Sequence, residues 1–143
     1  MNIEGKMEGG CLCGDIRYRV VGTAFDSDYC HCRICQKSVG SVVVTWMDFK
    51  QEQVEWLGGK PAEYASSEHV RRGFCRICGC SISFRDQRYP EYLTLSTATL
   101  DNPNLVSPNY HIYTDSQPTW LKIDDDCERY SQSRITAKRV IRE

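Results

Sequence analysis

The nine cysteines of this 143-residue chain are the residues whose type and spacing could do chemistry. Cys75 and Cys78 are separated by two residues and followed by Gly79, which is the spacing of a zinc knuckle, where two thiolates reach one ion. Cys11 and Cys13, also followed by a glycine, are the simplest source of the missing pair. We therefore predict a closed four-cysteine zinc site with a structural role. The alternative is that these four are reduced cysteines of the core.

A second group places three thiols and an imidazole within six residues, Cys30 to Cys35. Three thiolates leave a coordination position for water or an incoming thiol, which is the arrangement of a catalytic zinc site. Cys30, Cys32 and Cys35 are therefore the predicted catalytic residues and the predicted ligands of a second zinc. His31 is expected to point away from the ion, because neighbours along an extended chain face opposite sides. The alternative is a second structural site completed by one of three residues: His31, Cys80 or Cys127.

Other polar and aromatic side chains carry weaker signals. His111 lies in a strand-like run and is expected to be a satisfied, half-buried side chain rather than a catalyst. Trp46 and Trp120 are expected in the core. A small basic cluster is expected to face solvent: His69, Arg71 and Arg72. Cys80 and Cys127 belong to no complete cluster and are interpreted as buried thiols or redox-sensitive spares.

The elements that must position these residues are short. Ile16, Tyr18 and Val20 alternate with polar residues, which predicts a half-buried strand after the first cysteine pair. One helical turn is predicted at 35–39, ending at Gly40. Further strands are predicted at 41–46, 53–57, 62–65, 69–74, 81–84, 92–97, 111–114 and 120–123. The chain is thus predicted to be mainly β, with about eight or nine short strands and little helix.

Composition narrows the function classes. The net charge is −1 and the sequence pI is near 6.3, so a nucleic-acid partner is not expected. The N-terminus has no apolar run that could serve as a signal peptide, and no stretch predicts a membrane span. Clustered cysteines in odd number suit a reducing compartment, so a cytoplasmic location is expected. No pattern demands a particular oligomeric state.

The order of the motifs resembles the glutathione-dependent formaldehyde-activating enzyme family, whose relatives include centromere protein V. The resemblance runs from about Gly9 to Trp120. Its motifs are G-G-C-L-C-G from Gly9, C-H-C-R-I-C from Cys30 and G-F-C-R-I-C-G from Gly73, with His111 and Trp120 downstream. After Trp120 the sequence departs from the usual pattern and reads D-D-D-C-E-R-Y.

The resemblance implies a zinc-bound fold of the β-tent type, assigned to residues 1–128. Residues 129–143 are rich in Arg, Lys and Ser with few apolar residues, and they are expected to form a C-terminal tail that is frayed or a short helix. It implies one structural zinc on Cys11, Cys13, Cys75 and Cys78, and a second zinc on Cys30, Cys32 and Cys35. The implied activity is that of a carbon-sulfur lyase acting on S-hydroxymethylglutathione, the adduct of glutathione and formaldehyde. A small-molecule thiol, with glutathione as the candidate, is then the expected partner.

Two other function classes compete with this hypothesis. One is a non-catalytic zinc-bound binding module, which the centromeric relative suggests but the charge balance disfavours for DNA. The other is a thiol redox sensor, in which the cluster of Cys30, Cys32 and Cys35 releases zinc and forms a disulfide on oxidation.

Overall fold

The structure, a computed structural model, describes residues 5–134. One α-helix, α1, spans Arg33–Val39, and four single 3-10 turns lie at Gln51–Gln53, Thr97–Thr99, Pro103–Leu105 and Thr114–Ser116. The strands are β1 (Lys6–Gly10), β2 (Arg17–Val21), β3 (Asp26–Cys30), β4 (Val44–Lys50), β5 (Val54–Trp56), β6 (Ala62–Ala65), β7 (Val70–Phe74), β8 (Ser81–Asp86), β9 (Tyr92–Ser96), β10 (Tyr110–Ile112) and β11 (Glu128–Arg129). No helix within this part of the chain is long and apolar enough to cross a membrane.

The strands form two sheets. A three-stranded antiparallel sheet has the order β1-β2-β5, and an eight-stranded sheet has the order β11-β10-β3-β4-β9-β8-β7-β6. Most pairs of the large sheet are antiparallel, whereas β10 runs parallel to both β3 and β11. Its position beside β3 places His111 opposite Tyr29 and Ile112 opposite Cys30.

Two buried clusters make up the core. The first combines side chains of both sheets, among them Tyr18, Met47, Phe49 and Leu95. The second surrounds the end of β3 and contains Cys30, Cys32 and Cys35 together with apolar and aromatic residues: Val44, Trp46, Val70, Phe84, Tyr110 and Ile112. The second cluster places three thiols in an environment from which most water is excluded.

The mainly β architecture with little helix is confirmed, and most predicted strands are present within two or three residues of their expected bounds. The helix begins at Arg33, two residues before the predicted turn, and ends at Val39. Its C-cap is Gly40, whose φ of 79° is the left-handed conformation that glycine adopts easily. The strand predicted at 120–123 is absent, and the strands β1, β3 and β11 were not predicted. Of the predicted tail, residues 129–134 add to the sheet through β11 and adjoining hydrogen bonds, while 135–143 lie outside the described residues.

Candidate functional site

The four-cysteine cluster joins the N-terminal hairpin to the turn between β7 and β8. The sulfurs of Cys11 and Cys13 lie 3.6 Å apart, and those of Cys13 and Cys75 lie 3.7 Å apart. The sulfur of Cys78 completes the cluster, and the four sulfurs all lie within 4.8 Å of one another. Tetrahedral coordination with Zn–S bonds of about 2.3 Å places sulfurs about 3.8 Å apart. These cysteines therefore fit a zinc ion.

Backbone N–H groups donate hydrogen bonds to sulfurs of this cluster and so stabilise negative charge on them. Ile16 N donates to the Sγ of Cys11 over 3.3 Å, and Ile77 N donates to the Sγ of Cys75 over 3.4 Å. Hydrogen bonds from the backbone at Cys13 and Cys80 lower the pKa of Cys78 to about 6. Such bonds favour the thiolate, the form that binds a metal.

The other group of cysteines, which we call the three-thiol cluster, contains Cys30, Cys32 and Cys35. Cys30 is the last residue of β3, and Cys32 is the N-cap of α1, where its Sγ accepts a hydrogen bond from Cys35 N over 3.3 Å. The three sulfurs lie within 4.8 Å of one another and all three residues are buried. Among the described residues, no His, Cys, Asp or Glu joins them at that distance. The three thiols fit a zinc ion that would have an open coordination position.

A cation and a cavity adjoin this cluster. Arg72 is buried, and its Nη1 donates to the Sγ of Cys35 over 3.6 Å. Hydrogen bonds from Cys30 and Cys32 lower the pKa of Cys35, and the positive charge of Arg72 acts in the same direction. Arg72 also lines a cavity of about 460 Å³ beside α1, which we call the α1 cavity. Its other lining residues are Ile34, Lys37, Ser38, Tyr64, Ser66, Gly73, Phe74, Gly79 and Ser81.

A buried chain of hydrogen bonds runs behind the three-thiol cluster. His31 Nε2 and His111 Nδ1 share a hydrogen bond of 2.9 Å, and His111 Nε2 donates to Asp125 Oδ2 over 2.9 Å. Both imidazoles are fully buried, and burial lowers the pKa of His31 to about 4, with the charges of His111 and Arg129 acting in the same direction. The chain holds the backbone between Cys30 and Cys32 against β10.

Comparison with known proteins assigns the chain to a family. The sequence profile described as "Glutathione-dependent formaldehyde-activating enzyme" matches residues 6–116. The chain belongs to this family. A Halomonas elongata protein, provisionally named a glutathione-dependent formaldehyde-activating enzyme, is 26% identical over 129 residues, covering 82% of this chain and 81% of the relative.

The fold of this formaldehyde-activating family member has also been seen in a crystal structure. A Rhodobacter sphaeroides protein aligns with a TM-score of 0.57 and 22% identity, covering 71% of this chain and 97% of the other. At this identity the likeness extends to the fold alone. The resemblance inferred from the order of the cysteine motifs is thus confirmed at the level of the family.

Several side chains of this family member lie elsewhere than their sequence context predicted. Arg72, expected in a solvent-facing cluster, is 4% exposed, because period-two alternation along β7 places it on the same face as Val70. Trp120, expected in the core, is 70% exposed, whereas Trp46 is buried as predicted. His111 is fully buried rather than half-buried.

The three residues considered as a fourth ligand of the three-thiol cluster all contact other parts of the molecule. The Nε2 of His31 contacts His111, and its Nδ1 is buried with no hydrogen-bond partner among residues 5–134. Cys80 packs against the first core cluster. Cys127 lies beside His111 and Asp125 instead. None of the three lies with the three-thiol cluster.

Sequence reasoning missed one residue that organises the site. Gln36 is buried in α1, and its Nε2 lies within hydrogen-bond distance of three backbone carbonyls, those of His31, Val42 and Ser116. It thereby ties the segment that carries the thiols to the loop before β4 and to the 3-10 turn after β10. The signal was available in principle, because Gln36 directly follows Cys35 on the buried face of a short helix.

Proposed function

We propose that this chain is a zinc-dependent enzyme that forms and cleaves the carbon-sulfur bond between a thiol and an aldehyde, with glutathione and formaldehyde as the candidate pair. In the forward direction the thiol sulfur bonds to the aldehyde carbon, the C=O bond becomes a C–O single bond, and the thiol proton ends on that oxygen. The reverse direction is the lyase reaction. The observation that carries this proposal is the three-thiol cluster without a fourth protein ligand in the described part of the chain. Arg72, which contacts Cys35 and lines the α1 cavity, connects the cluster to that cavity.

In this proposal Cys30, Cys32 and Cys35 hold the ion. A zinc ion bound there would supply Lewis acidity toward a thiol or a carbonyl oxygen. The protein's own part is to hold the ligands in place: Arg72 donates to the Sγ of Cys35 and favours its thiolate, and Cys35 N donates to the Sγ of Cys32. Both contacts exist without any side-chain rearrangement, so the ligand geometry is organised in advance.

The α1 cavity supports an anionic thiol as the substrate. At about 460 Å³ it is within the usual size range of small-molecule sites. Lys37 and Arg72 line it, and none of its described lining residues is acidic. Two cations and several hydroxyl groups suit the carboxylates of glutathione. Because the ligand thiols must stay reduced, the proposal includes a cytoplasmic location.

The test uses Cys32→Ser in the full chain, with Cys80→Ser as the matched control. Exchange between 13C-formaldehyde, glutathione and their adduct is followed by NMR, against the spontaneous rate, and zinc per chain is measured on the same samples. We expect the wild-type protein and Cys80→Ser to accelerate exchange. Cys32→Ser is expected to lose the acceleration and one zinc per chain. A wild-type rate in Cys32→Ser would overturn the catalytic assignment.

The same experiment, extended by a treatment with mild peroxide, separates the competing function classes. If the wild-type protein retains its zinc but does not accelerate exchange, the binding-module hypothesis replaces the enzyme. If mild peroxide releases zinc and produces a disulfide within the three-thiol cluster, the redox-sensor hypothesis gains support.

A further inference from the structure

We propose that His111, Asp125 and Cys127 form a third zinc site, separate from the two cysteine clusters. The imidazole Nε2, a carboxylate oxygen and the thiol Sγ of these residues all lie within 4.8 Å of one another. His111 comes from β10, whereas Asp125 and Cys127 come from the segment that leads into β11. The site would therefore join two stretches of chain that are already paired in parallel.

The carboxylate of Asp125 is oriented for such a role. Its Oδ1 accepts a hydrogen bond from Cys127 N over 2.9 Å and lies 3.1 Å from the Nη1 of Arg129. Its Oδ2 lies 2.9 Å from the Nε2 of His111. One oxygen is thus held by the loop, and the other faces the imidazole that would be its fellow ligand. A hydrogen-bonded carboxylate of this kind is typical of metal centres.

The ring of His111 is fixed in the same way. It is fully buried, it stacks on Tyr29 with ring centroids 4.3 Å apart, and its Nδ1 shares the hydrogen bond with His31. A ligating histidine usually has its second ring nitrogen held by a partner, which fixes the direction of the first. The other ring nitrogen, Nε2, is hydrogen-bonded to Asp125 Oδ2 in this structure, and it would exchange that hydrogen bond for a bond to the ion.

The thiol of Cys127 has a replaceable contact. Its Sγ donates to Pro108 O over 3.7 Å, a weak hydrogen bond. On metal binding the thiol proton would leave to solvent and the sulfur would bond to the ion. The proton that His111 carries on Nε2 would have to move to Nδ1, which would then donate to His31 Nε2, and the proton of His31 would shift to its own buried Nδ1.

The mixed ligand set selects the class of metal. One imidazole nitrogen, one carboxylate oxygen and one thiolate suit zinc far better than magnesium or calcium, which take oxygen ligands. The carboxylate and the thiolate together balance the charge of a divalent ion, while the nearby guanidinium of Arg129 opposes it and limits the affinity. Three protein ligands leave one position for water. We therefore expect a zinc that exchanges more readily than that of the four-cysteine cluster.

The experiment measures zinc per chain in the full-length protein, loaded anaerobically and equilibrated with a weak zinc buffer. The variants are Cys127→Ser and Asp125→Asn, which preserve side-chain size, and Cys80→Ser is the control cysteine. We expect both site variants to hold one zinc fewer than the wild type, and Cys80→Ser to hold as many as the wild type. The difference of one zinc is independent of catalysis, so it stands or falls separately from the proposed enzyme activity.

Alkylation gives a second measurement. The rate at which iodoacetamide modifies Cys127, read by peptide mass spectrometry, should fall when zinc is present in the wild type and should be unaffected by zinc in Asp125→Asn. The proposal would be overturned if the wild type and both site variants held equal amounts of zinc, and if zinc left the alkylation rate of Cys127 in the wild type unchanged.

Discussion

At the residue scale, Arg72 is the side chain that connects the three-thiol cluster to the α1 cavity. Its Nη1 contacts the Sγ of Cys35, its Nε donates to Ser66 Oγ over 3.0 Å, and its guanidinium lies 5.0 Å from the ring centroid of Phe84. A cation fixed in a buried setting stabilises an adjacent thiolate more strongly than one in water, because screening is weaker there.

Replacing Arg72 with Met should therefore weaken zinc binding at the three-thiol cluster, by about tenfold if it behaves like other partners of metal ligands. The measurement is competition with a chromophoric chelator, in which one zinc per chain should leave at lower chelator concentration. Arg71→Met is the matched control, since Arg71 donates to backbone carbonyls of its own loop and strand. Equal zinc retention in Arg72→Met and the wild type would contradict this role.

Single-residue features differ in how far the sequence could predict them. The spacing of the cysteines was sufficient to predict the three-thiol cluster, because closely spaced cysteines stay close in any fold. The four-cysteine cluster joins two pairs that lie about 62 positions apart, and it was predicted only because each pair alone is half of a zinc site. The burial of Arg72 was predictable, because strand alternation places it on the same face as Val70. Its basic neighbours in sequence instead led to the prediction of a solvent-facing cluster. The contact of His111 with Asp125 was not predictable. The two residues are 14 positions apart, and the irregular loop between them has no sequence pattern that fixes its path.

At the element scale, the short helix α1 is held in place by tertiary contacts rather than by its own length. A seven-residue helix is marginal in isolation, so its position depends on packing and buried hydrogen bonds. Gln36 supplies those bonds to the carbonyls of His31, Val42 and Ser116. The sequence predicted a helical turn here from Gly40, but it could not show which loops the helix would bind.

We expect Gln36→Met to destabilise the protein by about 1–3 kcal/mol, because buried carbonyls would lose their donor while side-chain volume is nearly kept. The control is Lys37→Met, the same replacement at the next, exposed position of α1. Urea unfolding curves followed by tryptophan fluorescence give both free energies of unfolding. If Gln36→Met and Lys37→Met unfold at the same urea concentration, the hydrogen bonds of Gln36 do not stabilise the fold.

Strand pairing shows the limit of prediction for elements. Antiparallel neighbours such as β7 and β8 are consecutive in sequence, and both were predicted. The three-residue strand β10 pairs in parallel with β3, which ends some 80 positions earlier, and with the two-residue strand β11. Such short parallel pairs have no local sequence pattern, since their stability comes from the neighbours that the rest of the fold provides.

At the scale of the whole molecule, the four-cysteine cluster connects the two sheets. Cys11 and Cys13 follow β1, a strand of the small sheet, while Cys75 and Cys78 follow β7 of the large sheet. The bidentate ion pair between Arg17 of β2 and Asp101, which follows β9, has a shortest N–O distance of 2.6 Å, but the side chains are 34% and 40% exposed. A surface pair of this kind contributes about 1 kcal/mol or less. A zinc ion on these cysteines would add a metal link to the apolar packing that the first core cluster provides between the sheets.

Cys13→Ser should consequently unfold at a much lower temperature than the wild type, because structural zinc sites contribute on the order of 10 kcal/mol to folding. Cys80→Ser is the control. Cys80 lies two positions after Cys78, packs against the first core cluster and is not one of the four cysteines of the cluster. Thermal unfolding followed by circular dichroism, with zinc per chain measured alongside, tests this. Cys32→Ser should fall between the two, since the three-thiol cluster lies within one core cluster and does not bridge the sheets. A Cys13→Ser protein that melts with the wild type would show that packing between the sheets suffices without the metal.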